Sequence, residues 1–218
     1  MKAGFLMDFQ RARSDEQKQS RIDDIVRIAA EIFDEEGFDS LSLSAIAEQI
    51  GITRPAIYRY FTSKEAILLR VISQDFADWS NALVTSFSSE RRYNVTEIAN
   101  IWTQSFLSHE RMLKLYSLYS TLLDRNLSME ELMHFEKSSL QSMLQVKGLL
   151  KRLFPRATNE QLKNFLDVQL ALAFGCFLMS RISPPRMEAA ILANTASEIP
   201  TFNTIYGNSI SSLMHHLE

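Results

Sequence analysis

Residues 42–61 read SLSAIAEQIGITRPAIYRYF, and their spacing decides the fold. Ser42 carries the hydroxyl that an N-cap needs, and Leu43, Ile46, Ala47 and Ile50 give a short helix one apolar face. Gly51 ends that helix. Thr53 opens another, with Pro55 in its first turn, where a missing N–H costs little. Two short helices joined by so little chain must cross steeply. The crossing needs a small residue at the contact, Ala47, a glycine in the turn, Gly51, and apolar anchors onto a supporting helix, Ile46, Ile52, Ile57 and Phe61. The second helix then shows solvent its other face: Arg54, Pro55, Ala56, Tyr58, Arg59 and Tyr60. Positive charge, hydroxyls and flat rings on one short rod suit a DNA major groove, about 12 Å wide.

The flanks support that reading. Before the motif, Ile22, Ile25, Val26, Ala29, Ile32 and Phe33 recur at spacings of three and four, predicting a helix over 21–36 that Gly37 terminates in a left-handed turn. After it, Ser63 caps a long helix to about Ser86, with Ile67, Leu68, Val71, Ile72, Phe76 and Trp79 on its apolar side. Residues 1–20 are polar and of mixed charge, and read as a flexible extension whose Arg11 and Arg13 could enter a minor groove.

Charge is consistent with a small DNA-facing surface only. The chain of 218 residues has a net charge of −3, which excludes a wholly basic nucleic-acid binder. Residues 1–72 carry 10 Lys and Arg against 12 Asp and Glu, a net of −2. Within 51–72, however, Arg54, Arg59, Lys64 and Arg70 face only Glu65, a net of +3. Hydrophobic residues at 46% and charged residues at 22% exclude a disordered tail, and the single cysteine, Cys176, excludes an internal disulfide or a cysteine metal cluster. Six glycines and five prolines leave little room for an all-β chain of tight turns. No run of 18 apolar residues or secretory leader is evident, so a cytoplasmic protein without a membrane partner is expected.

Helical periodicity continues to the end, with no alternating strand pattern, giving an all-α chain of about nine helices. Asn94 with Glu97, Ser128 with Glu131, and Thr158 with Gln161 have capping-box spacing. A break falls near His109, before MLKLYSLYSTLL, and Pro155 stops the helix that Ser128 opens. The helix over 158–182 is apolar on nearly all sides. Pro184 and Pro185 break it, a short helix is expected over 187–195, and a last one follows Pro200.

The stretch AAEIFDEEGFDSLSLSAIAEQIGITRPAIYRYFTSKEAIL, residues 29–68, resembles the N-terminal domain of the TetR family of bacterial transcriptional repressors. The shared marks are AxxxFxxxG closing the first helix, IAxxxGI across the turn, IYRYF, and SKEAIL opening the fourth helix. Ser42 replaces the threonine usual in the family and keeps its hydroxyl, while Ile50 is larger than the residue usual before the turn glycine. The resemblance implies a DNA-binding domain over 21–72 and a ligand-binding, dimerising domain over 73–218. It implies that Ser42 and Thr53 bind phosphate at helix N-termini and that Tyr58 and Tyr60 reach the backbone or thymine methyls. Lys64 would grip a phosphate, and Arg54, Pro55, Ala56 and Arg59 lie where bases are read. Arg54 is the expected guanine reader, through bidentate contact with O6 and N7.

For the remaining chain the resemblance implies a homodimer released from a palindromic operator by a small effector. The helix over 158–182 and the last helix would form the subunit interface, through Leu170, Phe177, Ile205, Tyr206, Ile210, Leu213 and Met214. Trp102, Phe106, His109, Tyr116, Tyr119, Phe135, Met143 and Phe174 are candidates to line an apolar effector cavity, with plain core packing the competing reading. His215 and His216 lack helical metal spacing. No metal site, cofactor or catalytic constellation is expected, so the chain does not read as an enzyme. Two alternatives stand beside the effector-controlled repressor: a ligand-independent or activating DNA-binding regulator, and a helical protein-binding module without DNA specificity.

Overall fold

A computed structural model describes residues 2–119 and 126–218, with side chains from Glu16 onward. Every regular element among the described residues is helical: α1 (Lys2–Glu36), α2 (Leu43–Gln49), α3 (Arg54–Ile57), α4 (Lys64–Thr85), α5 (Val95–Leu107), α6 (Glu110–Leu118), α7 (Met129–Leu153), α8 (Asn159–Ser180), α9 (Pro184–Leu192) and α10 (Phe202–His215). A 3₁₀ turn at Ala196–Glu198 precedes α10.

Local chemistry sets most of the boundaries. Gly37 and Gly51 take φ of 86° and 68°, left-handed values that cost a glycine nothing and let α1 and α2 stop where they do. The Ser42 hydroxyl accepts from Ala45 N at 3.1 Å, and that of Ser63 from Ala66 N at 3.1 Å. Asn94 with Glu97 and Thr158 with Gln161 form full reciprocal capping boxes, and Ser128 with Glu131 makes the same pair of bonds. Each such cap is worth about 1 kcal/mol.

Two elements differ from the sequence reading. Residues 2–20, expected within a separate flexible extension over 1–20, are part of α1. They hold no proline and only Gly4, so nothing in them interrupts a helix once 21–36 has nucleated one. Arg11 and Arg13 lie outside the residues whose side chains are described. The short helix expected over 187–195 instead starts at Pro184, because prolines in a first turn lack only N–H groups that would be unpaired there.

The chain divides into two compact units, Met1–Ile72 with Tyr119–Phe135, and Ser73–Leu118 with Glu136–Glu218. This division differs from the contiguous expectation of 21–72 and 73–218 in grouping 119–135 with the first unit. In that unit Ile25, Ala29 and Ile32 of α1, Ile46 of α2, Ile57 of α3 and Ile67 and Leu68 of α4 are all buried. Burying one such side chain fully is worth roughly 1.5–3 kcal/mol, which makes this small apolar centre the foundation for α3.

In the second unit α10 packs on α5 and α8, and α8 also meets α6. Trp79, Trp102, Phe106 and Tyr206 are fully buried there, with Trp79 stacked on Phe106 at 4.8 Å and edge-on to Trp102 at 6.4 Å. Gln169 sits inside this aromatic core. Its Oε1 accepts from Trp102 Nε1 at 3.2 Å and from the Tyr206 hydroxyl at 3.0 Å. Asp75 of α4, 7% exposed, receives both arms of Arg111 of α6 at 2.7 and 2.9 Å. By length and composition α8 could cross a membrane, a test that the core helix of a water-soluble domain also passes.

Candidate nucleic-acid interface

The residues expected to read DNA fall on one structural platform. Ile57 is fully buried and Phe61 is 8% exposed, so the α3 segment is nailed to the unit from beneath. Backbone bonds from Ala56 N to Thr53 O at 2.9 Å and from Tyr60 N to Ile57 O at 2.8 Å hold it as one helical turn followed by a tighter one. Fixing the inner side this way leaves Thr53, Arg54, Pro55, Tyr58 and Arg59 exposed, with Ala56 and Tyr60 half-buried. Tyr58 is 50% exposed, a large aromatic that keeps half its surface in water.

The polar groups on this face are lightly engaged within the chain. Arg54 Nη2 donates to the Tyr58 hydroxyl at 3.4 Å, a long bond at i,i+4 spacing that aligns the two side chains and leaves most guanidinium donors open. Thr53 occupies the N-cap position of α3, yet its hydroxyl makes no capping bond. The Ser42 hydroxyl does cap α2, so an approaching phosphate oxygen would have to share it.

Lys64 has a structural task that the sequence did not disclose. Its Nζ donates to Phe38 O at 3.3 Å and lies 4.1 Å from the centre of the Phe38 ring. The ammonium thereby ties the start of α4 to the turn after α1. It has three donors, and one is used here.

A second feature of this edge was also invisible beforehand. Thr62 donates to Glu131 Oε1 at 2.8 Å, the Ser63 hydroxyl donates to Asn126 O at 3.2 Å, and Asn126 Nδ2 donates to Glu65 Oε1 at 3.4 Å. The entry to α7 is therefore bonded to Thr62, Ser63 and Glu65, around the start of α4. The Ser128–Glu131 spacing gave the cap, but no local signal shows that Glu131 serves two partners 69 and 3 positions away.

The effector candidates are divided between the two units. Tyr119 and Phe135 lie in the first unit, with their rings 5.1 Å apart. The other six lie in the second. There Trp102 and Phe106 are fully buried core, while Tyr116 stacks on Phe174 at 3.9 Å and lies 5.7 Å from Phe76. His109 is half-buried, its Nδ1 bonded to Ser105 O at 2.8 Å, and Met143 is half-buried on α7. Burial, and secondarily the Glu136 carboxylate, pushes the Tyr116 hydroxyl above its ordinary range, so it stays a proton donor. Three surface grooves of the second unit are lined by other residues.

The expected subunit contacts need correction. Tyr206, Ile210 and Met214 are fully buried within the chain, and Phe177 is 5% exposed, because the apolar stripe of α10 faces α5 and α8. Leu170, Ile205 and Leu213 are half-buried. Exposed on α8 instead are Ala171, Gly175, Leu178 and Met179, and α9 adds Met187, Ile191 and Leu192 with no buried residue of its own.

Comparison with known proteins fits this geometry. The family described as "Tetracyclin repressor-like, C-terminal domain" matches residues 73–216, and "Bacterial regulatory proteins, tetR family" matches 25–71. The regulator UidR of Escherichia coli K12 is 43% identical over 51 residues, 23% of this chain and 26% of that protein. The transcriptional repressor KstR2 of Mycolicibacterium smegmatis is 35% identical over 63 residues, 29% and 30% of the two chains. This chain thus covers only about a quarter to a third of the length of such curated relatives. Among solved structures, a possible TetR-family regulator from Streptomyces coelicolor A3(2) superposes with a TM-score of 0.58 at 14% identity, over 88% of this chain and 96% of that one. A TetR regulator from Streptomyces coelicolor gives 0.50 at 12% identity, over 89% and 95%; both likenesses concern the fold alone.

Proposed function

Because the chain belongs to the TetR family of DNA-binding transcriptional regulators, we propose that it is a homodimeric repressor that grips a palindromic operator and lets go when a small apolar molecule binds its second unit. The observation that carries the reading is the α3 platform: Arg54, Tyr58 and Arg59 stand exposed on a turn whose inner residue, Ile57, is wholly buried. Each protomer places residues 54–60 in one major groove, and two copies read half-sites about one helical turn apart. Arg54 reads a guanine. Thr53, with its hydroxyl free of a capping bond, together with Ser42, Tyr60 and Lys64, holds the backbone. Work on a chromosome places the protein in the cytoplasm.

Release works through α4. This helix runs unbroken from Lys64, beside the recognition turn, to Thr85, and supplies Trp79 to the aromatic core and Asp75 to the Arg111 pair. An effector that prefers one tilt of α4 changes the separation of the two recognition turns. Its coupling to DNA is limited to its difference in affinity for the two states, typically about 1–3 kcal/mol.

The two copies meet across the outward face of α8, where Ala171, Gly175 and Leu178 follow one another at helical spacing. A Cβ placed on Gly175 would touch nothing in the chain. Leu178→Glu gives monomers in analytical ultracentrifugation while Ile210→Glu unfolds the chain. A Leu178→Glu dimer would move the interface elsewhere.

Selection of bound fragments from random DNA tests the whole reading. A palindrome is the expected product, and Arg54→Ala costs about 1–3 kcal/mol with relaxed preference at one base position. Recovery of no common sequence would overturn it.

A further inference from the structure

The second unit carries a groove of about 690 Å³ that the DNA and effector readings do not use. It lies between the loop leading into α5 and the chain that leaves α7. Four arginines line it, Arg91, Arg92, Arg152 and Arg156, against one acid, Glu218.

Two of the four have work within the fold. Arg152 donates to Phe87 O at 3.0 Å, and Arg91 pairs with Glu97 at 2.5 Å while lying 4.7 Å from the Tyr93 ring centre. Arg92 and Arg156 are exposed and have no ion-pair or hydrogen-bond partner among the described residues.

Both loops are held in place. The Tyr93 hydroxyl accepts from Ser88 N at 2.9 Å, and the Tyr93 ring meets that of Phe87 edge-on at 5.1 Å. Across the groove Lys151 Nζ donates to Pro155 O and Ala157 O at 3.2 and 2.6 Å, fixing the turn that carries Arg156. Leu153 and Pro155, with the tips of the nearly buried Val95, Ile98, Phe154 and Leu217, form the apolar part of the lining.

We infer that this groove binds an organic phosphate, with the phosphoryl oxygens on Arg92 and Arg156 and the organic part over Phe154. Arg92 and Arg156 line the same groove from different loops, so an anion seated in it can draw on both. Guanidinium forks match the several oxygens of a phosphate better than the two of a single carboxylate. The apolar part of the lining gives a ring or chain somewhere to lie, which inorganic phosphate alone would not use. An organic phosphate differs in chemistry from the small apolar effector proposed above, so this inference stands apart from the repressor reading.

Calorimetric titration of the full chain, without DNA, with 1-naphthyl phosphate and with uncharged 1-naphthol tests it. The phosphate is expected to bind saturably and the naphthol not. The double variant R92A/R156A removes two partnerless side chains and should keep its thermal midpoint. It is expected to weaken 1-naphthyl phosphate at least about tenfold, the loss of two charge-assisted contacts. Arg186→Ala, a loss of positive charge on α9 outside the groove lining, should change nothing. Absence of saturable heat up to about 1 mM, the range of weak ligands, overturns the inference. So does binding that survives in R92A/R156A, or that Arg186→Ala weakens equally.

Discussion

Lys64 stands where two explanations of one charge can be separated by measurement. Its ammonium sits over the Phe38 ring at 4.1 Å and on the Phe38 carbonyl at 3.3 Å, and it is also proposed to hold a phosphate. Lys64→Met keeps the stem and removes the charge. Within the fold it loses a half-exposed cation–π contact, about 0.5–1 kcal/mol, and one long hydrogen bond worth roughly 0.5 kcal/mol more. Stability in urea should therefore fall by about 1 kcal/mol. On DNA, each phosphate contact adds about 0.9 to the slope of log affinity against log salt, so a dimer loses about 1.8. Across a fourfold rise in salt that flattening amounts to about a tenfold smaller loss of affinity than the parent protein shows. Phe38→Leu is the partner experiment, because it removes the ring and keeps the charge. It should cost similar stability and leave the salt slope unaltered. Fluorescence anisotropy with a labelled operator at several salt concentrations reads the slope. An unchanged slope in Lys64→Met removes the phosphate contact, and an equal drop in Phe38→Leu shows that the lysine acts only by bracing the turn.

Two more perturbations probe the second unit. Asp75→Ala strips Arg111 of a nearly buried carboxylate and should cost about 2–4 kcal/mol; the value sits toward the low end for a broken buried pair because Arg111 is 33% exposed and can recover some water. Urea denaturation checks this, and a loss under 1 kcal/mol, roughly that of a surface pair, would refute it. Gln169→Met orphans two buried donors, Trp102 Nε1 and the Tyr206 hydroxyl, at about 1–3 kcal/mol each, and removes an amide nitrogen that has no partner, returning about as much as one of them. The net expectation is a loss of about 1–3 kcal/mol, read as a lower thermal midpoint, and a rise in the midpoint would show that the unpaired amide outweighs both donors.

What the sequence disclosed and what it hid divide along the range of the forces involved. Caps at Ser42, Asn94 and Thr158 and the left-handed turns at Gly37 and Gly51 depend on neighbours within four residues, so spacing alone reveals them. The short helix α3 and its buried side were legible for the same reason, the anchors Ile46, Ile57 and Phe61 all lying inside one short stretch. Asp75 and Arg111 are 36 positions apart, and Trp102, Gln169 and Tyr206 come from three helices. Nothing in the immediate surroundings of such residues distinguishes a buried pair from a solvated charge. The misplaced subunit contacts follow from the same limit. A stripe such as Tyr206, Ile210 and Met214 states that a helix face avoids water, and it is silent on whether the cover is α5 and α8 of the same chain or a second copy. Periodicity therefore identifies faces, and only packing assigns them. Leu178, Met179, Ile191 and Leu192 are among the large apolar side chains left open after the chain has folded, as are Met129, Met133, Leu140 and Leu144 of α7.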